Sequence, residues 1–374
     1  MEDGSSKRRR LRDLGITIGD FQTGPLNAIT DVEGVAVGHK TLIEGDPEDV
    51  ATGVVRTGVT AILPQQGDLF MNRVVGGAFV LNGAGELSGL VQVLEWGLIE
   101  TPILLTNTLS VGIVAQGAIQ YLLERFPDIR NEHDVLIPLV GECDDSFLND
   151  IAGPHVQIEH VYEALDNASA GPVEEGGVGA GTGMVSFDLK GGIGTSSRCV
   201  PEGGDTYTLG VLVLNNFGRI RDLRVDGVPV GRELEPWLEG LAKRVSLHGS
   251  IISVLATDAP LSTHQLTRLC KRVALGLGRT GSYAAHGSGE IILAFSTANR
   301  VPRSSEPRLL HFSQLSNQWM DPLYQAAIEC TEEAVLNSLC MAEEMVGVDH
   351  HLVRALPARR VVEIFEKYRG EATH

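Results

Sequence analysis

Short apolar runs recur along the chain, each bounded by Gly, Pro or Asn. Ile103-Leu104-Leu105, Val135-Leu136-Ile137, Gly210-Val211-Leu212-Val213-Leu214, Ile251-Ile252-Ser253-Val254-Leu255 and Ile291-Ile292-Leu293-Ala294-Phe295 are nearly continuous. Such runs predict short strands covered on both faces. Between them the period changes. Leu266, Leu269, Cys270, Val273, Ala274 and Leu277 recur at helical spacing, with Ser262 and Thr263 available as caps and Gly278 as the stop. Asp321-Pro322 predicts a second helix, opened by a cap and a first-turn proline and running through Leu323, Ala327, Cys330 and Ala334 to Gly347. Further helices are expected over 86–97, 110–125 and 156–168. Glycines cluster at 76–89, 171–194 and 276–289, beside the apolar runs. Strands and helices mix throughout, with no linker, repeat or low-complexity tract. The class is α/β or α+β, layered with helices outside two sheets.

Composition narrows the picture. Hydrophobic residues at 43% and charged residues at 21% suit a packed globule rather than a disordered chain. The 30 basic residues stand against 48 acidic ones, a net charge of −18, which repels phosphate backbones and disfavours nucleic-acid binding. The one basic run, Lys7-Arg8-Arg9-Arg10, reads as a solvated terminus. It leads into Leu11-Arg12-Asp13-Leu14-Gly15 instead of the apolar core of a signal peptide. No apolar stretch approaches the roughly 18 residues of a membrane span. Five scattered cysteines without a C-x-x-C suggest free thiols in a reducing cytoplasm.

Familiar cofactor motifs fail. Residues Gly177-Val178-Gly179-Ala180-Gly181-Thr182-Gly183 fit G-x-G-x-x-G in no frame, Gly192-Ile193-Gly194 lacks the last glycine, and no Gly-Lys-Ser/Thr step occurs. These loops are expected to serve close backbone approach. His350-His351, His155 and His160 have no H-E-x-x-H or thiol framework, so neither metal nor cofactor is expected. A G-x-S-x-G elbow is also missing; Gly287-Ser288-Gly289-Glu290 is the nearest match. One junction stands out: His248-Gly249-Ser250 precedes a buried strand-like run. Gly-Ser there is either ordinary turn chemistry or the arrangement of a self-cleaving serine. In the second reading glycine permits a strained scissile peptide, and cleavage frees an α-amine of pKa roughly 7.7–8 beside the nucleophile.

The segments Asn27-Ala28-Ile29-Thr30-Asp31-Val32-Glu33-Gly34-Val35, Gly58-Val59-Thr60-Ala61-Ile62-Leu63-Pro64, Thr106-Asn107-Thr108, Gly179-Ala180-Gly181-Thr182-Gly183-Met184, Gly249-Ser250-Ile251-Ile252 and Ala294-Phe295-Ser296-Thr297-Ala298-Asn299 favour the second reading. They resemble the L-aminopeptidase/D-Ala-esterase/amidase family, which includes the β-peptidyl aminopeptidases. The resemblance runs from about residue 11 to about 365. It implies an α+β fold, a four-layer αββα sandwich like that of N-terminal nucleophile hydrolases but differently connected. It also implies a single domain over 1–374, cut into 1–249 and 250–374, and a homo-oligomer of the cut units, a tetramer. Short peptides, amides or esters with a free amine are the implied substrates.

The resemblance further implies Ser250 as nucleophile and new N-terminus, and Asn216 in Leu214-Asn215-Asn216-Phe217-Gly218 as oxyanion donor. Ser288 and Glu290 are implied as the orienting polar pair, and Glu142 in Gly141-Glu142-Cys143-Asp144-Asp145 as the acid that binds the substrate amine. Some members carry a tyrosine two residues after that acid. Here the position is Asp144, which either adds charge to the amine pocket, with Asp145 as a third carboxylate, or caps the turn at 146–150. Cys143, between acids, is expected to have a raised pKa and not to act as nucleophile. Two alternatives stay open: an acyltransferase of the ornithine acetyltransferase kind, against which a serine at 250 argues, and a non-catalytic protein of the same fold.

Overall fold

A computed structural model describes residues 7–48, 53–130, 135–244, 249–304 and 306–371. His248 lies outside the described residues. Two mixed sheets carry the fold. The first has five strands in the order β1 (Ala36–Glu44), β2 (Val55–Leu63), β6 (Ile103–Asn107), β7 (Leu139–Cys143) and β4 (Leu87–Ser88). The second has six, in the order β10 (Gly192–Glu202), β11 (Asp205–Asn216), β12 (Ser250–Thr257), β13 (Gly289–Pro302), β3 (Asn72–Gly83) and β5 (Leu98–Ile99). Two small hairpins, β8 (Val185–Ser186) with β9 (Leu189–Lys190) and β14 (Met345–Val346) with β15 (Leu352–Val353), complete the strands.

The apolar runs explain the layers. Ile62, Ile103, Leu105, Leu212, Leu214, Ile252, Val254 and Leu293 fill the space between the sheets. Ile251, Leu255 and Ile292 point to the other face of the six-stranded sheet, where α5 (Thr263–Arg279) and α6 (Asp321–Met341) cover them with Leu266, Leu269, Leu323 and Leu336. Helices α2 (Val111–Arg125) and α3 (Ile158–Asp166) cover Val59, Leu104 and Val140 on the outer face of the five-stranded sheet with Val114, Ala118 and Val161. The result is the expected αββα sandwich. Three further helices, α1 (Leu90–Trp96), α4 (Val230–Leu234) and α7 (Ala358–Glu371), lie around it.

Several expectations need correction. Val135-Leu136-Ile137 is not a strand: Val135 and Ile137 are 72% and 43% exposed, and the strand begins at Leu139, after Pro138. The segment 86–97 splits into β4 and α1, because Gly89 turns the chain in a left-handed conformation (φ 83°). Helix α6 stops at Met341, short of Gly347, and its N-cap is Met320, with Asp321 already helical. The basic run is no solvated tail. Arg8 donates to the carbonyls of Leu339 and Leu356, and Arg10 pairs with the buried Glu175 at 2.7 Å while reaching the carbonyls of Asn27 and Thr195. Of those acceptors, Leu339 is in the last turn of α6 and Thr195 in β10, while Asn27 and Leu356 lie in loops.

Candidate active site

Ser250 heads β12, the central strand of the larger sheet, and is 5% exposed. Antiparallel pairing sets it opposite Asn216 at the end of β11; parallel pairing sets it beside Gly289 at the start of β13. Since side chains alternate along a strand, Ser250 shares the face of Ile252 and Val254 and looks into the space between the sheets. The other sheet ends there too, and β7 brings Glu142 to the same mouth. A cavity of about 530 Å³ opens between them, with Ser250, Glu86, Thr108, Leu109, Glu142 and Asp144 in its wall.

Glu142 is held on both oxygens. Oε1 accepts from the Glu86 amide at 2.9 Å and Oε2 from the Thr108 hydroxyl. Burial pushes its pKa up, the two hydrogen bonds oppose that, and the nearby Asp144 and Glu86 carboxylates add to it. Asp144 does both things expected as alternatives: Oδ1 accepts from the Ser146 amide at 2.8 Å, capping the turn, while the exposed side chain lines the cavity. Asp145 is not the third carboxylate of the cavity. It is fully buried, accepts from Asn149 Nδ2 at 3.0 Å, and burial raises its pKa to about 7. Glu86 takes that place, and the sequence offered no periodic or spacing signal for it.

Ser288 donates to Glu290 Oε1, and Glu290 Oε2 is buried without a hydrogen-bond partner. Burial raises the Glu290 pKa, opposed by the Ser288 hydroxyl. A small cavity of about 30 Å³ runs past this pair on the other side of Gly249, walled also by Phe217, Tyr283 and Arg244. Gly249 does not adopt a left-handed φ. Its glycine is needed for space: a Cβ would sit 3.0 Å from the Asn216 carbonyl oxygen and from Phe217 Cα. The Gly249 carbonyl accepts from the Gly289 amide at 3.0 Å.

The Asn216 carboxamide is fixed from three directions. Nδ2 donates to the Asp144 carbonyl at 2.8 Å, and Oδ1 accepts from the Val185 amide at 2.9 Å and from Arg244 at 3.3 Å. Cys143 is fully buried beside these groups; burial, then the Glu142 charge, drives its thiol far above the usual range, so it is no thiolate. The glycine-rich stretch 177–183 does serve close approach, since a Cβ on Gly179 would lie 2.4 Å from Thr60 Oγ1. Among the described residues no group of three metal-ligating side chains exists: His155 pairs with Asp150, His160 caps α3 and His351 stacks on Phe147. Nor is any helix there long and apolar enough to cross a membrane.

Two sheets sandwiched by helices, with a buried serine heading a central strand and a carboxylate-lined cavity before it, form a variant of the Ntn hydrolase fold. Comparison with known proteins agrees. The structure superposes with a TM-score of 0.89 on the L-aminopeptidase D-Ala-esterase/amidase from Ochrobactrum anthropi, described as a prototype for the serine aminopeptidases and a new variant among the Ntn hydrolase fold; identity is 40%, over 96% of this chain and 99% of that one. The PH0078 protein from Pyrococcus horikoshii OT3 superposes with a TM-score of 0.91 at 49% identity, over 96% and 99%. Beta-peptidyl aminopeptidase BapA from Sphingosinicella microcystinivorans is 42% identical over 98% of this chain and 94% of its own. The model of peptidase family S58 matches residues 27–353. The chain belongs to peptidase family S58 and is a serine aminopeptidase of that family.

Proposed function

We propose that this aminopeptidase matures by cutting itself before Ser250 and then releases N-terminal residues from short peptides, amides or esters bearing a free amine. The observation that carries the reading is the position of Ser250. It stands between Asn216 and Gly289 on one sheet and faces Glu142 on the other.

In maturation the Ser250 Oγ adds to the Gly249 carbonyl, polarised by the Gly289 amide. The Gly249–Ser250 C–N bond breaks, leaving an ester on Oγ and a free α-amine. Water then hydrolyses the ester, giving the Gly249 carboxyl and restoring the hydroxyl. In turnover the amine takes the Oγ proton as Oγ attacks the substrate acyl carbon. The leaving amine departs with that proton, and water releases the acyl group. Asn216 Nδ2 donates to the developing oxyanion, a contribution of about 3 kcal/mol for one fixed donor. Glu142 receives the substrate ammonium. Ser288 and Glu290 orient the nucleophile, and Glu290 Oε2 provides an acceptor for an N–H of the freed Ser250 α-amine.

The names of the relatives support the substrate class: one acts as a β-peptidyl aminopeptidase, the other as an L-aminopeptidase D-Ala-esterase/amidase. The reading extends to a homo-oligomer of cut units, supported by the exposed Val91, Leu94 and Trp96 on α1; light scattering that returns the mass of one unit would remove that extension. Denaturing electrophoresis tests the rest. Wild type should run as two bands with Ser250 at the N-terminus of the smaller, and Ser250→Ala as one band without activity. Two normal bands from that variant would overturn the reading.

A further inference from the structure

A carboxamide that turns over by 180° exchanges its donor and its acceptor. If Asn216 did so, Oδ1 would face the oxyanion and repel it. What holds the amide is therefore part of the reaction. The Val185 amide and Arg244 both donate to Oδ1, at 2.9 and 3.3 Å, and Asp144 accepts from Nδ2. Arg244 does more than touch Oδ1. Its NH1 also donates to the Asn216 main-chain carbonyl at 3.2 Å and its NH2 to the Val185 carbonyl at 2.8 Å. One guanidinium thus ties the end of β11 to the start of the β8–β9 hairpin on both sides of the amide it faces.

We infer that Arg244 is a positioning residue for turnover: it locks the Asn216 carboxamide with Nδ2 toward the reacting carbonyl and polarises it. The inference rests on Asn216 being the oxyanion donor. A cation against Oδ1 draws charge from the amide and makes the remaining Nδ2 hydrogen a stronger donor, because hydrogen bonds in series reinforce one another where water is excluded. Arg244 lines the small cavity with Ser288 and Glu290 and is absent from the wall of the substrate cavity that holds Glu142. Its loss should therefore lower kcat and leave KM nearly unchanged. Arg244, Asn216 and Val185 all lie in residues 1–249, so these contacts do not cross the proposed cut. Burial of the guanidinium is disfavoured by desolvation and offset by Asp188 and Asp144.

The test is a double-mutant cycle on the full chain with an alanyl anilide substrate, using Arg244→Met, Asn216→Ala and both together, with band pattern and Tm recorded for each. Removing one oxyanion donor costs about 100-fold or more in kcat. We expect Arg244→Met to lose about 10- to 100-fold in kcat with KM within about twofold. In the Asn216→Ala background the same change should cost almost nothing, since the group it positions is gone. Added guanidinium ion at sub-denaturing concentration should restore part of the loss in Arg244→Met and none in the double variant. If Arg244→Met does not fold or mature, the cycle is run with Arg244→Lys, which keeps the charge but not the two-pronged contact and should show a smaller, equally non-additive loss. Equal losses in both backgrounds, or a rise in KM with kcat intact, would overturn the role of Arg244 alone. An Asn216→Ala enzyme with normal kcat would overturn the oxyanion reading and this inference with it.

Discussion

Glu142 meets its cavity with both oxygens already bonded, one to a backbone amide and one to the Thr108 hydroxyl. Those bonds keep a buried carboxylate oriented, and burial beside Asp144 and Glu86 holds its pKa above the ordinary range. The ionised form is the one that binds an ammonium, and it is lost as pH falls through that raised value. The acid limb of kcat/KM should therefore lie higher than for a free glutamate. Glu142→Gln should abolish that limb and raise KM about 30-fold or more, the low end of the roughly 2–5 kcal/mol that truncating a buried charge pair costs, with maturation unchanged. An acid limb that persists unaltered in the variant would assign it to another group. Ser250 and Glu142 are marked as candidates by the family resemblance, and the structure brings both to one cavity. Glu86 and Arg244 were not, because an exposed acid in a Gly-rich turn and an arginine before a junction carry no local pattern.

At the scale of elements, the β8–β9 hairpin and the glycine-rich stretch before it form one anchored unit. Lys190 at the end of β9 is fully buried, and its Nζ donates to the carbonyls of Gly181, Met184 and Gly191 at 2.8–3.0 Å. Burial lowers its pKa to about 7, with Asp145 opposing. Lys190→Met would fill the space but remove three donors: the Gly181 and Met184 carbonyls keep the Met184 and Gly191 amides, while the Gly191 carbonyl loses its Lys190 donor, and a buried acceptor left unpaired costs about 1–3 kcal/mol. A fall in Tm of several degrees is expected by calorimetry; an unchanged Tm would mean that water replaces the amine. Local signals read some elements well. Helix α5 starts at the expected cap, with Ser262 and Gln265 forming its capping box, but Gly278 does not stop it: the helix runs to Arg279 with Thr280 as its C-cap. Helix α6 is buried on nearly every side, so no amphipathic stripe marks its end. Strand β7 hides behind Gly141 and Glu142, and the more apolar Val135–Ile137 run beside it stays outside the sheet.

For the whole molecule, the order of the larger sheet sets what the proposed cut before Ser250 would do to the fold. Strands β12 and β13 belong to residues 250–374 yet lie between β11 and β3 of residues 1–249, while α5 and α6 close the outer face over all four. Separating the two pieces would break hydrogen-bonded ladders on both sides and expose both cores at once. The pieces should therefore co-elute on native sizing, and denaturant should release them in one cooperative transition. Loss of the smaller piece at a lower concentration than the larger would contradict this. The alternation of apolar runs and helical periods by itself determined a layered α+β chain, and the motifs from Asn27 to Asn299 determined the family, within which Gly249-Ser250 marks the proposed nucleophile. Those features are local: backbone pairing needs, side-chain period and capping are written within a few residues. Only the tertiary structure decided that Asp145 turns inward while Glu86 enters the cavity, that Gly249 is needed for space, and that Arg8 and Arg10 are tied into the fold. Each of these depends on atoms tens to hundreds of residues away in the chain, and the energy that settles it, burial against desolvation, exists only once those atoms have met.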